Sequence, residues 1–125
     1  MTQEKPLALN DEVDLGINFE SFNVKDIAFI ENGKDFSLTL FVPGYQEITL
    51  IFEDMMFFSC DKNATESEGF AIFEASLKKV ESGTELLEHI ANVKYSEEIG
   101  SVFHFCVHGT LGINIVSSNY RIVDL

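Results

Sequence analysis

Residues 27–42, "IAFIENGKDFSLTLFV", decide how the rest of the chain is read. Apolar side chains alternate with polar ones on both sides of Asn32-Gly33, the pair preferred in a two-residue hairpin turn because both positions need positive φ. That turn sets Glu31 opposite Lys34, Phe29 opposite Phe36 and Ile27 opposite Leu38. One face then carries Ile27, Phe29, Phe36, Leu38 and Leu40, with an ion pair between Glu31 and Lys34 at the tip. Turn chemistry and hydrophobic pattern agree, so the period here is two and the fold is antiparallel.

The next turn, "VPGYQ" at 42–46, tests the same logic. A two-residue Pro43-Gly44 turn would pair Leu40 with Glu47 and mix the two faces. A three-residue or bulged connection through Tyr45 pairs Leu40 with Ile48, Leu38 with Leu50 and Phe36 with Phe52, and keeps the apolar face whole. Beyond Glu53-Asp54, "MMFFSC" reads as a further strand, "DKNATESEG" at 61–69 as a polar loop, and "FAIFEASLKKV" at 70–80 as a long strand. The polar loop fails as a calcium loop: Glu66 stands where glycine is required and Ile72 where glutamate is required.

A helix is predicted once, near residues 83–93. Ser82 and Glu85 form a capping box, and Leu86, Leu87, Ile90 and Val93 make one apolar stripe, with His89 off it. Residues 1–15 are polar with little periodicity and read as a loose N-terminal arm, leaving 16–125 as a single β-rich domain. The expected fold is mainly β: an antiparallel curled sheet or β-sandwich of about eight to nine strands with one short helix.

At 125 residues, 46% hydrophobic and with 12 phenylalanines, the chain suits one globular domain with its own core. The N-terminus has no basic start leading into an apolar run, and no segment approaches the length of a membrane span. A cytoplasmic location is expected, and with it free thiols at Cys60 and Cys106. Charge is the strongest global signal: 21 acidic against 8 basic residues, net −13, with Arg121 the single arginine. Nucleic acid and anionic membranes would be repelled; the acidity either serves solubility alone or attracts and orients a basic protein partner, and the two readings weigh equally.

The stretch with the most chemistry is "VFHFCVHG" at 102–109. Alternation puts His104, Cys106 and His108 on one face of a strand, away from Phe103, Phe105 and Val107. The chain then turns back through "TLG" into "INIVSSNY". A two-residue loop at Gly109-Thr110 would drive the histidines into the apolar side. A three-residue loop, Thr110-Leu111-Gly112, with Gly112 left-handed, pairs Val107 with Ile115, Phe105 with Ser117, His108 with Asn114 and His104 with Ser118. That register keeps the histidines outside and is preferred. Same-face neighbours are then about 7 Å apart and the two histidines about 13 Å apart along the strand, too far for all three side chains to meet on one ion. An ordinary surface strand weighs most, ahead of a partner contact and of a metal site. No catalytic residue is assigned: no glycine-rich phosphate loop opens a helix, no GxSxG turn is present, and a mid-strand cysteine without a nearby lysine or helix N-terminus has no source of a lowered pKa.

The runs "ITLIFEDMMFFSCDKN" and "VFHFCVHGTLGINIVSSNYRIVDL" resemble, in strand order and acidity, small bacterial proteins of uncharacterised domains that include predicted immunity proteins of polymorphic toxin systems. The resemblance implies a non-catalytic protein that binds a secreted toxin domain, often a basic nuclease, and occludes its active site; no cofactor is expected. The alternatives are a β-barrel-like binder of a small apolar ligand, suggested by the phenylalanines, and a metal-binding protein using His104, Cys106 or His108. The expected partner surface is the outer side of the last hairpin: His104, His108, Asn114 and Ser118.

Overall fold

The reversal at Asn32-Gly33 keeps the expected register but spans four residues, 31–34, instead of two, with Glu31 also left-handed at φ 54°. In the computed structural model, which describes residues 10–62 and 71–124, Asn32 and Gly33 have φ of 58° and 89°, and the Lys34 N–H bonds Glu31 O at 3.1 Å. It joins β2 (Asn23–Ile30) to β3 (Asp35–Val42) in the expected register, Phe29 with Phe36 and Ile27 with Leu38, as far as a bulge at Lys25. The tip ion pair differs: Lys34 reaches Asp54 at 3.6 Å, not Glu31.

The three-residue connection also forms, with Gly44 at φ 67° and Leu40 on Ile48, Leu38 on Leu50 and Phe36 on Phe52. Beyond it the chain makes one strand rather than two. β4 runs from Gln46 to Lys62, passing through Glu53-Asp54 instead of stopping there, and its register against β7 shifts only between Met55 and Phe57. Asp54 takes φ 54°, its N–H bonds the Asp35 carboxylate at 3.0 Å, and the Met55 N–H bonds Lys34 O at 2.7 Å. Polar groups of the hairpin tip thus satisfy the backbone around Asp54, and the strand continues where a break was expected.

The remaining strands are β5 (Ile72–Val80), β6 (Val102–Gly109), β7 (Leu111–Asp124) and a short β1 (Asn10–Val13). All seven form one antiparallel sheet in the order β1-β5-β6-β7-β4-β3-β2. The fold is therefore mainly β, a curled sheet rather than a sandwich, with seven strands among the described residues where about eight or nine were expected for the chain. Residues 10–13, read as part of a loose arm, pair with β5 as an edge strand; the rest of that arm up to residue 9 and most of the 61–69 loop lie outside the described residues.

The sheet curls without closing. At one rim the bridge Asn23–Ala71 and the bond from Ile72 N–H to Phe22 O bring its two halves together. Residues 14–22 cross between the β1 and β2 edges, and their Leu15, Ile17, Phe19 and Phe22 pack into the core. Inside, Phe36, Leu38, Leu40, Leu50, Phe105, Ile113 and Ile115 are fully buried. Ring centroids lie 5.2 Å apart for Phe52–Phe105 and 5.7 Å for Phe19–Phe105, so phenylalanine fills the concave side.

The helix α1 (Gly83–Ala91) is capped by Ser82, whose Oγ accepts the Glu85 N–H at 3.3 Å. Asn92 in the left-handed conformation (φ 57°) stops it before Val93, which is 53% exposed instead of completing the stripe. His89 is exposed, as expected. No helix among the described residues is long and apolar enough to cross a membrane.

Candidate functional site on the outer face of the last hairpin

Strand β6 divides its side chains as its alternation requires. Phe105 and Val107 face the core, while His104 and Cys106 are half-buried and His108 is exposed on the convex side. Across from them β5 supplies Lys78 opposite His104, Ser76 opposite Cys106 and Glu74 opposite His108. The helix covers the apolar end of this outer face, packing Leu87 on Val80, Val102 and Val116. Its N-terminus is tied to the segment before β6: the Gly83 N–H bonds Gly100 O at 2.8 Å, and the Ile99 N–H bonds the Thr84 hydroxyl at 2.6 Å. The polar row of Cys106 and Asn114 begins next to this covered patch.

The register of β6 with β7 is not the one expected. Val107 pairs with Ile113, Phe105 with Ile115, Cys106 with Asn114 and His104 with Val116. Relative to the three-residue loop, β7 has moved by two residues, so every side chain keeps its face but changes its partner. The physical reason is a tertiary bond. Thr110 is 2% exposed and its N–H is held by Ala71 O at 3.0 Å, which centres the reversal on Thr110. Gly112 does not take positive φ and lies within the strand.

The shift brings Asn114 to Cys106. His104 Nε2 stands 3.0 Å from Asn114 Oδ1, Cys106 Sγ donates to the same oxygen at 3.2 Å, and Sγ lies 3.2 Å from Nε2. An amide oxygen only accepts, so Nε2 bonded to it carries a proton and is a poor base for the thiol. The other ring nitrogen, Nδ1, is 3.9 Å from Sγ. Burial pushes the His104 pKa below its ordinary value, against the bond to Asn114, while Lys78 adds a smaller downward push. Burial also pushes the Cys106 thiol up, with Lys78 opposing. Both displacements favour neutral thiol and neutral imidazole over a thiolate–imidazolium pair.

Of the four residues expected to form the partner surface, the structure joins His104 and Asn114 and leaves His108 and Ser118 apart, both exposed. Lys78 is the residue that sequence reasoning missed. The alternation of "FAIFEASLKKV" puts it on the face of Ser76 and Glu74, but nothing local says that β5 lies beside β6. The lysine that Cys106 was expected to lack is therefore present, and burial outweighs it. Among the described residues no three His, Cys, Asp or Glu side chains are placed to hold one ion. His104 and Cys106 are the pair within reach of a single atom, and their third neighbour is an amide. Cys60, the second free thiol, is exposed on β4; partial burial raises its pKa, with Asp61 adding to the effect.

Two surface grooves flank the crossing segment. One of about 310 Å³ lies between Ile17, Asn18, Phe22 and Tyr45, the other of about 430 Å³ between Glu12, Asp14, Leu15 and Leu77.

Fold and site together define an open, curled antiparallel sheet with a filled concave core and a hydrogen-bonded polar row outside. No protein-family model matches the chain, and no curated protein matches it. Among solved structures it is similar to an uncharacterized protein from Neisseria gonorrhoeae, at 10% identity over 90% of this chain and 95% of that one, with a TM-score of 0.49.

Proposed function

We propose that this is a non-catalytic acidic binding protein that sequesters a basic protein partner, in the manner of the immunity proteins its sequence resembles. The carrying observation is the net charge of −13. Three of its eight cations, Lys25, Lys34 and Arg121, sit against Glu47, Asp54 and Glu53 at 2.7, 3.6 and 3.1 Å. These contacts commit positive charge to the protein's own carboxylates and leave the surplus negative field to act on a partner. The neutral His104–Cys106 pair supports a binding role over nucleophilic chemistry. The proposed setting is the cytoplasm, where both thiols stay reduced.

A binder of small apolar molecules is less well supported, because phenylalanine rings in mutual contact occupy the concave side where such a ligand would sit. The test is capture of a basic partner on the immobilised chain, followed by association kinetics across ionic strength. The association rate is expected to fall by at least about tenfold between low salt and half-molar salt. A neutral or acidic partner, or a rate indifferent to salt, overturns the proposal.

A further inference from the structure

Resting on that reading, we infer that the outer edge of β2, from Asp26 to Ile30, which no other strand among the described residues covers, docks an extended basic segment of the partner as an additional strand of the sheet. β2 ends the strand order, and among the described residues its far side is bridged only at Asn23, to Ala71. Beyond the bulge no other described strand pairs with this side of β2, so the stretch presents an edge of the kind used for strand addition. The opposite edge is poorer among the described residues, where β1 has four residues against eight in β2.

Edge strands are commonly blunted by lysine. The one lysine of β2, Lys25, stands at the bulge and is bound to Glu47 at 2.7 Å. What the rest of the edge presents is apolar on one side and acidic on the other. Ile27 and Phe29 are 37% and 56% exposed on the concave side, and the Phe29 ring packs edge-on against Phe36 and Phe58 at 5.2 and 5.3 Å. Asp26 lies on the other face, and Glu31, Asp35 and Asp54 gather at the hairpin tip around Lys34. A guest strand with apolar residues in one row and lysine or arginine in the other matches both sides. The charge selects the occupant: a second copy would bring a further −13 and set acidic edge against acidic edge. The outer face of β6 and β7 offers less, because His104 and Asn114 already satisfy one another.

The probe is a short synthetic peptide of alternating valine and lysine, with serine replacing lysine in the control, titrated into the full chain while backbone amide shifts are followed. Shifts should concentrate at residues 25–30. Binding should weaken at least about tenfold in Phe29→Lys and in Asp26→Lys, in the serine control, and at half-molar salt. Thermal unfolding of both variants checks that they remain folded. Shifts centred on His108 and Ser118 would overturn the docking site while leaving the acidic-binder reading intact. So would a captured basic partner whose association rate is unchanged by both variants. Equal binding of the serine control removes the charge argument and overturns the choice of a basic segment. Self-association in sedimentation that disappears in Phe29→Lys makes the occupant a second copy and overturns the assignment. A basic peptide that does not bind at all counts against this site, whereas failure to capture any basic partner counts against the function itself.

Discussion

The two sides of β6 place opposite demands on one strand. Its inward residues Phe105 and Val107 are buried among rings and branched side chains, and their contribution is packing. Its outward residues His104 and Cys106 are half-buried beside a helix and are held by three polar contacts that close on Asn114. The inner side is tolerant of which apolar neighbour it meets, provided that volume is conserved. The outer side depends on one partner in one register, because a shift by two residues would take Asn114 from Cys106. A strand can therefore carry nonspecific stabilisation on one face and a position-specific network on the other, and substitutions separate the two.

The largest effect should come from the inner side. Phe105→Ala removes a fully buried ring in contact with Phe19 and Phe52 and should cost about 3–5 kcal/mol in denaturant unfolding. A loss under about 1 kcal/mol would mean that the concave side is not packed as described. Next is the helix that shelters the outer side. A Cβ on Gly83 would stand 2.6 Å from Gly100 O and 2.7 Å from Ile99 Cγ2, so Gly83→Ala should destabilise by about 1–3 kcal/mol despite alanine's better helix propensity.

The polar row should cost less. Asn114→Ala leaves the His104 N–H and the Cys106 thiol without their shared acceptor, for about 1 kcal/mol by chemical denaturation. The same row predicts a pH dependence. The folded-state pKa of His104 lies below its unfolded value, so below about pH 6.5 the unfolded chain takes up a proton that the folded chain resists. Its contribution is therefore complete above that pH and declines as the pH falls toward the folded-state value. Stability measured from about pH 7.5 to about pH 5 should fall less steeply in His104→Gln; an unchanged slope would show that the imidazole is not held neutral. The smallest effect belongs to exposed His108, where His108→Ala should change stability by no more than about 0.5 kcal/mol. A larger loss would extend the network beyond Asn114.

Three reversals show how far local chemistry reaches. At Asn32-Gly33 and at Pro43-Gly44-Tyr45 the turn residues and the apolar alternation name the same register, and both hairpins form in it. At Thr110 they do not suffice, because a backbone bond to Ala71, on a distant part of the chain, fixes where the strand reverses. The same kind of nonlocal satisfaction carries β4 through Glu53-Asp54, which reads as a break until Asp35 and Lys34 are placed beside it. Half of the outer site was legible in this way: the alternation of "VFHFCVHG" put His104 and Cys106 outside. Asn114 was paired with the wrong residue and Lys78 was absent, since both depend on pairing that crosses strands.

The amino-acid order alone determined the β class, the faces of the strands, two hairpin registers, the capped helix and the acidic surface. Each of these arises from interactions spanning a few residues or from composition. Only the tertiary structure decided that β5 lies beside β6, that Asn114 meets Cys106, and that β2 is left as an edge with Phe29 exposed. Those outcomes compare pairings of similar local merit, and they are settled by which arrangement buries the phenylalanine face and satisfies distant backbone groups together.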